Sequence, residues 1–209
     1  MSEKLAAGGR KAKAAETEAA LKAAAQRVFA ERGYLNTKIT DITAEAGRAT
    51  GSFYTHFASK EALLEALLAD LLTEGDESSL AEGHSDDFRD RDAVRFHVAA
   101  FWIFYRRHRT IMVALQQAST VDAGFARRSQ EMLEPDLRHI ADHLGGLDLP
   151  GDPLVVASIF TTVISQNAAA WLSGNGPDLG RELSDDEAIE TLTSFIYAGI
   201  GGTAQSPRT

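Results

Sequence analysis

No cysteine occurs among the 209 residues, which removes disulfides, thiolate zinc sites and cysteine nucleophiles and leaves nothing that points to an oxidising compartment. Proline is almost as scarce, at five residues, and no convincing strand pattern is present, so long helices are what remains. No stretch approaches roughly 18 uninterrupted apolar residues. The basic N-terminus, Met1 to Ala15, has no apolar run after it. Neither a membrane span nor a secretory leader is therefore expected, and the cytoplasm is the expected location. Catalytic signatures are missing too: there is no Gly-x-Ser-x-Gly elbow, no phosphate-cradling glycine loop, no His-Glu-x-x-His and no Glu-x-x-His pair. An enzyme is not expected, and no cofactor is called for.

What is present is the composition of a soluble globular protein, 44% hydrophobic and 24% charged, long enough for two packed domains. The net charge of −9, spread evenly, would argue against a polyanionic partner. It is not spread evenly. Residues 1–60 hold ten Lys/Arg against six Asp/Glu, net +4, whereas residues 61–209 hold eleven against twenty-four, net −13. All six lysines lie at or before Lys60. A basic head on an acidic body lets one end meet phosphate and keeps the other away, although a basic tail beside an ordinary acidic domain has the same composition.

Apolar residues recur at steps of three and four along the whole chain, so it reads as all-α, with about nine helices. A basic, flexible tail is expected over 1–16. The first amphipathic helix spans 17–32, with Leu21, Ala24, Ala25, Val28 and Phe29 on one face and Gly33 as its stop. Short helices follow at 39–46, with Thr37 a candidate N-cap, and at 50–56; a longer one starts after Ser59. The acidic stretch 75–92 reads as a linker. Helices are then expected at 92–107, 109–120, 122–144, 154–173 and 185–199, with loops at 145–153 and 174–180 and a frayed tail at 202–209.

The segment from Ile39 to Phe57 has the spacing of a helix-turn-helix, two helices of about two turns around Gly47. Ile39, Ile42 and Ala46 would pack on Phe53 and Phe57. Thr50, Ser52, Thr55 and His56 would then face outward, as suits an element lying in a major groove. Gly33-Tyr34, Thr37, Asp41-Ile42, Ala46-Gly47, Gly51-Ser52-Phe53-Tyr54, His56-Phe57 and Ser59-Lys60-Glu61-Ala62-Leu63 together resemble the DNA-binding domain of the tetracycline-repressor (TetR) family. The resemblance covers residues 17 to about 65; beyond them only the helical plan agrees.

It implies a homodimer whose three-helix head, 17–62, binds double-stranded operator DNA, and whose larger helical bundle, 63–201, senses a small-molecule effector. Thr37, Tyr54, His56 and Lys60 fall where the family holds operator phosphates. Thr40, Thr50 and Ser52 fall where base edges are touched, and Gly51 lets the backbone approach DNA. Arg48 and Ala49 depart from the family's usual valine and serine, so the usual serine cap is missing, and Thr50 is expected to cap instead. Arg48 has the shape to reach phosphate or guanine, or it is a solvated turn residue.

In the acidic body, Val98 to Tyr105 is apolar on every side, which predicts a central, buried helix. Phe101, Phe104, Tyr105 and His108 share a face that lines either a core or a cavity for a flat, apolar or aromatic molecule. Gln116, Gln166, Asn167 and Trp171 are the further candidates to orient such a ligand. Val156, Phe160 and Val163 on one late helix, with Ile189, Leu192, Phe195 and Ile196 on the next, are the expected dimer interface. His139 and His143 share a helix face near Asp136 and read as surface histidines rather than metal ligands. The rival to the whole reading is a helical small-molecule-binding or interaction module that ignores DNA.

Overall fold

A computed structural model describes residues 2–79 and 85–201, with side chains for 11–75 and 85–200. Among the described residues all regular structure is helical: α1 (Ser2–Arg32), α2 (Ile39–Glu45), α3 (Thr50–His56), α4 (Lys60–Ser79), α5 (Arg91–Arg107), α6 (Arg109–Val121), α7 (Ala123–Leu144), α8 (Pro153–Leu172) and α9 (Asp185–Gly201). The segment expected as a flexible tail is instead the beginning of α1, whose alanine-rich sequence favours helix. The expected 75–92 linker is shorter than its composition implied, because α4 continues to Ser79 and Asp90 caps α5 by accepting a bond from the Asp92 amide at 2.9 Å. The expected tail at 202–209 lies outside the described residues.

The chain forms two compact units, Met1–Leu72 with Thr110–Ser129, and Thr73–Arg109 with Gln130–Thr209. The first thus extends past the boundary expected at residue 62. Two observations account for this: Leu63, Leu64, Leu67, Leu68 and Leu71 of α4 are all buried, and the Gln117 side chain on α6 accepts a bond from the Tyr34 backbone amide at 3.0 Å.

In the second unit α5 packs on both α8 and α9. Its buried stripe is Val94, Val98, Trp102 and Tyr105, steps of four, four and three. The expectation that Val98 to Tyr105 is buried on every side is corrected here, since Ile103 is 54% exposed. The Trp102 indole N–H donates to Asp185 at 3.0 Å. Asp185 belongs to the acidic first turn of α9, where the helix dipole favours negative charge. By length and composition α8 alone of the described helices is apolar enough to cross a membrane. Within the unit, Val156, Ala157, Phe160, Ile164 and Ala168 form its buried face, which is how a core helix uses such a sequence.

Candidate nucleic-acid interface

The head is built on α1. Leu21, Ala24, Ala25, Val28 and Phe29 are all less than 5% exposed, the same five residues that the helical period puts on one face. Across from them, Ile42, Phe53 and Phe57 are buried, with the two phenyl rings 5.6 Å apart. Ile39 and Ala46 are half-buried. Between α2 and α3 the chain reverses in a Schellman turn: the Arg48 amide donates to the Thr43 carbonyl at 2.9 Å and the Gly47 amide to the Ala44 carbonyl at 3.1 Å. Gly47 sits at φ 62°, the left-handed region that a side chain disfavours.

Two cap expectations are corrected. Helix α2 begins after Lys38, whose amide donates to the Asp41 carboxylate at 2.9 Å, and the Thr37 hydroxyl instead donates back to the Gly33 carbonyl at 2.8 Å. Thr50 does not cap α3 but is its first residue; Ala49 holds the N-cap position with no side-chain bond. Ala49→Ser should therefore stabilise the chain by about 1 kcal/mol, because serine satisfies an orphan amide that alanine leaves to water; urea denaturation monitored by circular dichroism is the check. Ser59 caps α4 as expected, accepting a bond from the Ala62 amide at 3.2 Å.

The outward side of the motif carries Thr40, Gly51, Tyr54 and Thr55, all exposed, with Arg48, Thr50, Ser52 and His56 partly exposed beside them. Tyr54 is 58% exposed while its ring sits edge-on against buried Phe53 at 5.6 Å. That contact aims a phenol at solvent from a rigid base. The guanidinium of Arg48 lies 3.2 Å from Glu16, so this turn cation is tied to α1.

Thr37 and Lys60 are placed differently from the expectation that both face phosphate. Thr37 is only 3% exposed. The Lys60 ammonium donates to the carbonyls of Tyr34 and Thr37 at 2.7 and 2.9 Å and stands 4.0 Å from the centre of the Tyr34 ring. Burial lowers its pKa, so the positive charge is held at some cost to position the turn. Next to it the Tyr34 hydroxyl donates to Glu61 at 2.7 Å. Burial and then this neighbour push the phenol far above its ordinary pKa. For Glu61 itself burial works upward, but the Tyr34 bond and further hydrogen bonds outweigh it and hold the carboxyl below its usual range. Lys60, Tyr34, Glu61 and Gln117 form the clamp that fixes where α2 starts. Gln117 was missed because its neighbour Gln116, an exposed residue, has the same chemistry in sequence.

Residues 21–67 match the family described as bacterial regulatory proteins, tetR family. The head over these residues is of the TetR type. A relative in Bacillus subtilis (strain 168), the uncharacterised HTH-type transcriptional regulator YvdT, is 32% identical over 100 residues, covering 47% of this chain and 50% of its own length. The chain spans about half the length, or less, of the curated relatives it matches. TetR-type structures extend the likeness of fold. A TetR-family regulator from Syntrophomonas wolfei superposes with a TM-score of 0.70 at 19% identity, over 91% of this chain and 98% of its own. AibR, solved in complex with isovaleryl coenzyme A and operator DNA, gives 0.65 at 19% identity, over 87% and 98%.

Outside the TetR head the structure rearranges the expected sites. Of the four aromatic-face residues, Tyr105 is buried, whereas Phe101, Phe104 and His108 are half-buried. His108 lies 3.2 Å from the Glu74 carboxylate, and Phe104 packs on it at 4.6 Å. Gln116 and Gln166 are exposed. The Asn167 amide donates to the Val163 carbonyl of its own helix at 2.7 Å. Trp171 is half-buried, 6.1 Å from Trp102.

Of the seven residues expected at a dimer face, Phe195 alone is exposed. Val156, Phe160, Ile189, Leu192 and Ile196 are 3–6% exposed within the protomer and serve its own core, with Val163 half-buried. The apolar residues that α8 and α9 leave outside are Val155, Ile159 and Phe195, at 56%, 57% and 70% exposure.

Proposed function

We propose that this chain is a ligand-responsive transcriptional repressor that binds a near-palindromic operator as a homodimer and is released by a small apolar or aromatic effector. It acts in the cytoplasm and carries no catalysis. The observation that supports this best is the ridge of Gly51, Tyr54 and Thr55, exposed, with Thr50 partly exposed beside them, on a helix that buried Phe53 and the Gly47 turn hold rigid, within residues 1–60, which carry a net charge of +4. Short polar side chains on a pinned helix suit a major groove, and the phenol and flanking cations suit phosphate. Arg48, Thr40, Ser52 and His56 complete the contact set.

Val155, Ile159 and Phe195 supply the self-association surface. Isologous pairing across it would set two recognition helices on one side, roughly 34–36 Å apart, and so demand a two-fold operator. A complex with isovaleryl coenzyme A, as in AibR, supports an effector that inserts an apolar group among helices. The coupling runs along covalent helices: α4 holds Lys60 at its start and continues into the second unit, and α5 leads directly into α6, whose Gln117 grips Tyr34. About 1–3 kcal/mol of differential binding changes operator affinity 5- to 150-fold.

Selection of bound duplexes from a random pool should return an inverted repeat. Affinity for it should then fall roughly 10³-fold or more between about 50 and 200 mM salt, as expected when six or more phosphates are neutralised. A pool that yields no sequence, with a flat salt response, would favour the DNA-independent helical module.

A further inference from the structure

Three imidazoles that lie far apart in sequence meet in the second unit. His97 stands on α5, and His139 and His143 stand one turn apart on α7. Each offers one ring nitrogen, and the three nitrogens lie within 4.8 Å of one another. The rings of His139 and His143 are 4.4 Å apart, and those of His97 and His143 are 5.0 Å apart at 71°. Phe88 forms an apolar wall against two of them, 4.8 Å from His97 and 5.2 Å from His143. It is backed in turn by Phe160 at 5.7 Å.

One of the three has its tautomer decided by the backbone. His97 Nδ1 lies 2.9 Å from the Ala93 carbonyl oxygen. A carbonyl only accepts, so Nδ1 carries the proton and Nε2 presents its lone pair. A carbonyl holding the far nitrogen is the arrangement that orients a ligating histidine. Beside the cluster, Asp86, Asp87 and Asp142 line a cleft with His143. Their charges favour a cation. The cation in that cleft, Arg89, is occupied with the Gly146 carbonyl at 2.7 Å and Asp87 at 3.5 Å.

We propose that His97, His139 and His143 bind one divalent transition-metal ion of the zinc class and thereby clamp α5 to α7. Imidazole suits zinc, copper, nickel and cobalt, whereas calcium and magnesium prefer oxygen. Zinc bonds of about 2.0–2.1 Å place tetrahedral ligands roughly 3.3 Å apart. Exposed His139 closes the remaining gap by rotating its side chain, and His97 and His143, packed on Phe88, provide the fixed part.

The test uses the full chain, free of any affinity tag and stripped with a chelator, titrated with cobalt(II) and then zinc. The expected result is a tetrahedral cobalt absorption band saturating at one ion per protomer, displaced by zinc, and a melting temperature raised by zinc. His139→Ala removes an exposed side chain, so circular dichroism should stay unchanged while metal affinity falls at least about tenfold; His97→Gln should do the same. Absence of the cobalt band, or unchanged affinity in both variants, would overturn the site. These readouts do not involve DNA and hold whether or not the chain binds an operator.

Discussion

Phe195→Asp should separate the protomers and lower affinity for a full two-half-site operator by about 10²–10⁴-fold, while leaving affinity for a single half-site unchanged. The expectation rests on where this side chain lies. It is 70% exposed in the protomer, so a carboxylate there removes little from the core, and surface changes of this kind cost within about 0.5 kcal/mol. In a two-fold pair the same position meets the interface twice, and two carboxylates desolvated against Val155 and Ile159 oppose association strongly. Linking two heads turns the second contact into an intramolecular step, which is the source of the predicted factor. Sedimentation equilibrium together with titration of one- and two-half-site duplexes checks it. A variant that remained dimeric with full operator affinity would place the interface elsewhere.

Lys60→Met should be the most damaging single change in the head. Methionine keeps most of the stem but removes the ammonium, leaving the Tyr34 and Thr37 carbonyls without their shared donor. Hydrogen bonds to charged groups contribute about 1.5–3 kcal/mol each. Partial hydration of the turn offsets some of that, so a loss of about 2–3 kcal/mol is expected, or roughly 4–12 °C in melting temperature. Operator binding should fall with it, because the start of α2 is no longer held. A lysine that served only as a phosphate contact would behave otherwise: stability would be unchanged and the salt slope reduced by about one. Melting and salt titration of the same variant separate the two roles.

This distinction shows how much could be read from the chain in one dimension. Lys60 was recognisable as a functional position because the family resemblance puts a phosphate contact there. Where its ammonium points depends on Tyr34, 26 residues earlier, whose ring and carbonyl lie beside it only after α1 and α4 have packed. The Thr37 hydroxyl is a similar case, since a threonine two residues before a helix reads equally as a cap or as a back-bonded turn residue. Gln116 and Gln117 are chemically identical neighbours, and only the approach of Tyr34 selects the second.

The sequence by itself determined the head: the all-helical class, the buried face of α1, the Gly47 reversal and the polar ridge of α3 all follow from local periodicity and backbone preference. Each of those helices has one apolar side, so its period has one solution. Tertiary structure decided the rest. Helix α8 is apolar around most of its circumference, so Val156 and Phe160 compete with Val155 and Ile159, and the packing of α5 and α9 settles which pair is spent inside the protomer. The meeting of His97 with His139 and His143 has the same origin, since helical spacing relates residues one turn apart and says nothing of a partner 42 residues away until two helices lie side by side.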